Sequence, residues 1–238
     1  SSTQPKPNIV VFLLDDAGEA SHPLPMLQHA LMRTWDQWAQ RGDSERPISR
    51  DDYQAVGSVN SSLGHHLEEV FAGLDSGQQN VAERLFKTIT LKTDQHSGAA
   101  RQASILTIAR IAQCQVEEVI DVVEHFRRPD RGYILPGVSV PLRPETVIEL
   151  AHESMIDIWD RLRDWVEEEA QSVQMYLKLS DASALYQQGR TELWKPPELQ
   201  MALKWRESQK PTPAWGVQYN PAFERAMVFL STSEEEYQ

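Results

Sequence analysis

The chain has 238 residues, enough to bury one or two real apolar cores, and its 35 acidic against 23 basic residues give a formal charge of −12. A field of that sign repels a phosphodiester backbone and argues against nucleic acid as a partner. The single cysteine, Cys114, excludes an internal disulfide, and the longest purely apolar run, residues 9–14, is far short of the roughly 18 to 20 residues that span a bilayer, so the reading is of a cytoplasmic chain with no membrane partner.

In chain order, residues 8–17 and 23–41 read as helices separated by "SHPLP", the second carrying Leu24, Leu27, Ala30, Leu31, Trp35 and Trp38 at the spacing of one buried face. Ser49 is a candidate N-cap for a short helix through Val56. Ser61 or Ser62 starts another with Leu63, Leu67, Val70 and Phe71 on one side. Residues 1–73 are then a helical domain. An amphipathic helix at 76–91 follows, and a polar turn at Gly98 leads to helical stretches at 105–113 and 116–128, a tri-helical core in which Cys114 is a buried, inert thiol. Two β-rich runs, 133–135 and 146–150, are punctuated by Gly132, Pro136, Gly137, Pro141 and Pro144. A hairpin after a helix-turn-helix predicts a winged helix over 74–152, with strand confined to 99–103 and 132–151 and below about one residue in six.

From Glu153 to Gln188 apolar residues keep helical spacing, which predicts an arm of roughly 50 Å if unbroken, with Glu167 to Glu169 as its wet face and a kink there. Pro196 and Pro197 open a further helix with Leu199, Leu203 and Trp205, a last helix starts at Pro221, and the acidic tail is expected to fray. Residues 153–238 form a helical arm or lever domain. The fold class is mainly α: helical unit, winged helix with a β-hairpin wing, and long helical arm.

The chemistry-bearing patterns are few. There is no GxxxxGK[ST] and no Gly-Lys dipeptide, so no phosphate cradle of that type is encoded; "HHLEEV" (65–70) and "AHESM" (151–155) lack the His-Glu-x-x-His spacing of a metal site. The second helix of the helix-turn-helix carries Glu117, Glu118, Asp121 and Glu124 where a reader of DNA needs basic or amide side chains, leaving only Arg127, Arg128 and Arg131 as a local patch. His152 stands where a strand runs into a helix. One reading makes it a cap or a partner of a nearby carbonyl; the other makes it, with free backbone N–H groups at a helix start, a donor to a phosphate.

Three segments in this order, "LPMLQHALMRTW" (24–35), "VIELAHESMIDIWDRLRDWVEEE" (147–169) and "YLKLSDASALYQQG" through "LWKPPELQMALKW" (176–205), resemble the C-terminal half of the bacterial novel STAND NTPase region. STAND proteins are signal-transduction ATPases related to NLR and apoptosome switches, with a P-loop domain, a helical domain, a winged helix and a helical arm. The resemblance implies that Pro25 packs by an adenine and that His152 approaches the β-phosphate of ADP. His22 and Pro23 stand where the family has a glycine, and the junction reads "AHES" where NLR proteins have "MHD". The implied function is that of a regulatory fragment, not itself an enzyme, which senses nucleotide and relays its state. Its partners would be the P-loop domain of a longer parent chain, a sensor or effector module and an oligomer on activation; ADP or ATP with Mg belongs to the parent, and no cofactor to the fragment. The alternatives are a winged-helix transcription regulator, or a nucleotide-independent scaffold using Trp194, Trp205 and Trp215 as an exposed interface. The opening "SSTQPKP", without an initiator methionine, is read as the start of an excised piece.

Overall fold

A computed structural model describes residues 23–40, 46–49, 51–53, 59–93, 98–128 and 131–237; in the first two helices the side chains of 23–26, 29, 37 and 59–62 lie outside that set. The helix expected at 8–17 falls outside it too. The described chain is mostly helical. α1 (Pro23–Gln40) packs on α2 (Val59–Ala72), and between them residues 51–53 are helical, with the Ser49 carbonyl accepting from Asp52 and Tyr53 N–H; the rest of the helix expected through Val56 lies outside the described residues. α3 (Ser76–Thr88) begins at Asp75, whose carboxylate accepts from Gln78 N–H at 2.9 Å while the Gln78 side chain accepts from Asp75 N–H, a reciprocal capping box. α4 (Ile105–Ala112) starts at Ser104 in the same manner, with its Oγ accepting from Thr107 N–H. Gln113, in the left-handed region at φ 55°, turns the chain into α5 (Val116–Arg127).

Among the described residues five strands of two to four residues accompany these helices. β1 (Thr90–Leu91) pairs with β2 (Ala99–Ala100), while β5 (Val147–Leu150) is central in an antiparallel sheet of order β3-β5-β4, with β3 at Ala103–Ser104 and β4 at Ile134–Leu135. Its register sets Ala103 opposite Ile148 and Ile134 opposite Leu150. Ile148 and Leu150 are buried and Val147 is exposed, the period-two alternation of a sheet covered on one face. Strand stays far below one residue in six, but β1 and Ser104 lie outside the windows expected for it. The run at 76–91 therefore ends its helix at Thr88, where Thr88 Oγ1 and Thr90 Oγ1 donate back to the carbonyls of Arg84 and Phe86.

The helical run expected from Glu153 is divided. α6 (Met155–Ile158) stops at Trp159, which is extended at φ −96°, ψ 102°, and α7 (Asp160–Gln187) then runs for 28 residues, roughly 42 Å. The acidic triplet leaves α7 uninterrupted, and only Glu167 and Glu168 face water; Glu169 is 6 % exposed. α8 (Glu198–Gln209), α9 (Pro213–Gly216) and α10 (Phe223–Tyr237) follow, with α8 and α10 packed on α7. α10 includes the tail expected to fray. Phe229, Leu230 and Ser233 are buried there and Arg206 pairs with Glu234 at 2.7 Å, giving the last turns a surface to rest on.

The buried side chains form two cores. The first joins α1 to α6 with the start of α7, around Phe86, whose ring meets Phe126 at 4.9 Å and Trp159 at 5.2 Å, both edge-on. The second gathers Tyr176 and Leu179 of α7 with Leu199, Trp205, Trp215, Phe223 and Leu230, and Ile111 of α4 reaches into it. Trp205 and Trp215, expected on the surface in the scaffold reading, are thus core residues at 7 % and 4 % exposure. No described helix is long and apolar enough to cross a membrane.

Candidate functional site

The backbone on both sides of His152 is fixed. Upstream, β5 is paired on both edges and Ala151 N–H donates to Tyr133 O at 3.0 Å; downstream, Met155, Ile156 and Trp159 are buried in the first core. The chain turns between these anchors, with His152 O accepting from Met155 N–H and the Glu153 carboxylate accepting from Ala100 N–H at 2.9 Å on the neighbouring hairpin. His152 itself is exposed, and its ring makes no hydrogen bond among the described residues. It does not cap α6. The residue in that position is Ser154, buried, with an Oγ that has no partner.

The junction is held against α2 by a close backbone approach and an ionic contact. A Cβ on Gly64 would lie 2.5 Å from the carbonyl oxygen of Ile158, so only glycine lets α2 sit this near the end of α6. One turn on, Glu68 accepts from the Trp159 indole N–H and from Arg161 Nε, both at 2.9 Å, and the Arg161 guanidinium lies 4.4 Å over the Phe71 ring. The Arg161 hydrogen bonds hold the Glu68 carboxyl below its ordinary value against the opposing effect of burial, and Glu68 in turn raises Arg161. An open cleft of about 570 Å³ runs beside this contact, lined by His65, Glu68, Asp160, Arg161 and Asp164 among others. Two further bonds tie α2 to its neighbours: Tyr133 OH, just before β4, with His66 Nδ1 at 2.6 Å, and His125 Nε2 of α5 with Val70 O at 3.0 Å.

Pro25 lies in the first turn of α1, and its side chain is outside the described set. The structure links α1 to the junction through α2, which packs on α1 with one side and on α6 with another. The residues the sequence reading did not bring to this place are Gly64, Glu68 and Arg161. Glu68 and His66 were in view only as parts of a failed metal motif, and among the described residues no group of three or more acids, histidines or cysteines is placed to hold a metal.

Of the arginine patch at the end of α5, Arg128 is exposed but Arg127 and Arg131 are engaged within the fold. Arg127 is 3 % exposed, and its Nη1 donates to the carbonyls of Pro136, Gly137 and Val140 while Nε and Nη2 hold Glu124. Arg131 Nη1 donates to His125 O. Arg127 anchors the loop between β4 and β5 and is buried there, out of reach of a phosphate, while Glu117, Glu118, Asp121 and Glu124 are exposed along α5.

The family model described as Novel STAND NTPase 1 matches residues 2–192. No curated protein and no solved structure matches the chain.

Proposed function

The chain belongs to the novel STAND NTPase 1 family, an NTPase-type family, and from that premise we propose that it is the regulatory part of a signal-transduction switch, which senses bound nucleotide and relays its state to a sensor or effector module. The observation that carries this reading is His152: an imidazole that makes no bond of its own, presented to solvent from a backbone fixed on both sides. The backbone there is already ordered, so a ligand has to fix only the rotamer of the imidazole itself to make a charge-assisted bond.

In this reading α3, α4 and α5 with the β3-β5-β4 sheet are a winged helix used for packing. His152 meets the β-phosphate of ADP held by a P-loop domain elsewhere in the parent chain, and Pro25 on α1 packs by the adenine. With no GxxxxGK[ST] phosphate cradle in its sequence, this chain does not hydrolyse ATP by itself in this reading. Nucleotide state biases two arrangements: with the contact made, α2 and the junction stay locked through Glu68 and Arg161; without it the sheet and α7 turn away. Cytoplasmic location and an oligomer on activation belong to the same proposal.

The test is the affinity of ADP and ATP for wild type and His152→Ala in a protein that carries the P-loop domain. A charge-assisted contact contributes about 1.5 to 3 kcal/mol, so ADP should weaken by roughly tenfold or more and ATP far less. Equal loss for both nucleotides, or lower stability with unchanged preference, would remove His152 from the switch.

A further inference from the structure

Where the two cores meet, α7 carries Glu169 with its carboxylate used on one side only. Oε1 accepts from the Trp215 indole N–H at 2.6 Å and from Tyr219 OH at 2.8 Å. Oε2 accepts no hydrogen bond and is not sealed in, for Glu169 lines a cleft of about 480 Å³ between the end of β1 and α7. Among the described residues Glu169 has no ion pair. Arg101 is committed to Thr88 O at 2.9 Å and to the Tyr219 ring and hydroxyl, and Lys92, at the cleft, is paired with Glu167. A carboxylate that is 6 % exposed, with one oxygen short of a partner and facing an open cavity, has lost most of its hydration with no direct ion pair, since Arg101 reaches it only through the Tyr219 hydroxyl, so a cation entering the cleft gains what the fold leaves unmade.

The walls select the kind of cation. Among the described residues Glu169 is the only carboxylate lining the cleft, and the other side-chain oxygens there, on Thr93, Gln174 and Tyr219, are neutral, a weak set for magnesium or calcium, which take six or more oxygens and favour several carboxylates. Leu91, Ala170 and Val173 are apolar and suit a short hydrocarbon stem. Tyr219 stays a donor to Oε1 at any physiological pH, because burial first and the Glu169 charge second push its phenol up, so Oε1 stays occupied and Oε2 is the oxygen a ligand meets. We propose that this cleft binds an alkylammonium group, its N–H bonds accepted by Glu169 Oε2 and its stem packed on Leu91 and Val173. The group can come from a free diamine or from a lysine side chain of a partner protein.

Methyl resonances of Leu91 and Val173 report occupancy during titration with pentane-1,5-diamine, with N-acetyl-lysine amide and with pentan-1-ol as the uncharged control. One or both ammonium probes should saturate the shifts at least tenfold below any effect of pentan-1-ol; saturation by the diamine alone identifies a free polyamine, and by the lysine amide alone a partner's side chain. Glu169→Gln keeps an amide oxygen for Trp215 and Tyr219 while removing the charge, and should weaken the probe at least tenfold. Should that variant not fold, Ala170→Phe, which fills the cleft, must abolish the same shifts. Saturation by pentan-1-ol at equal concentration, unchanged binding in a folded Glu169→Gln, or shifts that persist in Ala170→Phe would overturn the assignment.

Discussion

Replacing Gly64 by alanine sets two opposing effects of known size against each other at the seat of α2 on the junction. The added Cβ would stand 2.5 Å from Ile158 O, whereas a carbon meets a carbonyl oxygen at about 3.3 Å or more, so the two elements must part by roughly 0.8 Å. Ile158 O is backbone at the end of α6, and Met155, Ile156 and Trp159 around it are each 2 % exposed or less, so the carbonyl has little room to withdraw. Overpacking of this kind costs about 1 to 3 kcal/mol. Alanine inside a helix returns about 1 kcal/mol over glycine. The difference predicts a net loss of about 1 kcal/mol, read as a lower urea midpoint at unchanged m-value. A Gly64→Ala variant more stable than wild type by half that amount or more would mean that α2 and α6 are free to separate, and that helix propensity wins.

Three further outcomes follow from contacts elsewhere. Arg127→Met should cost about 2 to 3 kcal/mol in thermal unfolding, because the carbonyls of Pro136, Gly137 and Val140 lose a charged donor; a shift no larger than that of a surface substitution would refute its anchoring role. Trp215→Phe leaves Glu169 without its indole donor and should cost about 1 to 3 kcal/mol, while a neutral result would mean that water replaces it. Glu68 and Glu124 are held below the ordinary carboxylate value of 4.5 by Arg161 and Arg127, so their folded forms bind protons less readily than the unfolded chain. The stability they supply is whole above about pH 4.5 and fades as pH falls through the depressed values; Glu68→Gln should flatten that decline, and parallel curves for variant and wild type would rule the pair out as its cause.

The helices at 23–40, 105–112 and 116–127 were legible because one apolar face repeats every three or four residues and a capping or turn residue stands at the boundary, as Ser104 and Gln113 do for α4. The sheet was legible in part: Gly and Pro bracket β4 and β5, but β1 is two residues long and is fixed by pairing with β2 across a loop, which no local pattern records. The break at Trp159 was not legible. Apolar spacing continues through it, and the indole at the break bonds Glu68, a residue 91 positions earlier that no local pattern could connect to it. Glu169 was misread for a related reason. Charge runs favour the wet side of a helix, yet two N–H and O–H donors more than forty residues ahead, on Trp215 and Tyr219, needed an acceptor in the core. Their aromatic rings were visible in the sequence; the demand of their polar ends was the usable signal. His152 was found as a residue, and its lack of any partner is a property of the folded junction alone.

α7 carries Leu162, Trp165 and Val166 in one core and Tyr176 and Leu179 in the other, with Glu169 and Ser172 receiving the Trp215 and Trp205 indoles in between. A helix advances about 1.5 Å and turns about 100° with each residue, so the count of residues across this seam sets an angular phase between the two halves. One inserted residue between Val166 and Tyr176 would swing Tyr176 and Leu179 away from the positions that Trp205 and Trp215 fill. Seven would restore the angle to within about 20°, but would part the cores by roughly 10 Å and leave Ile111 of α4 short of its neighbours. Length variation among related chains should accordingly fall in the loops and spare the nine residues between Val166 and Tyr176, where single substitutions can be repacked and a change of spacing cannot.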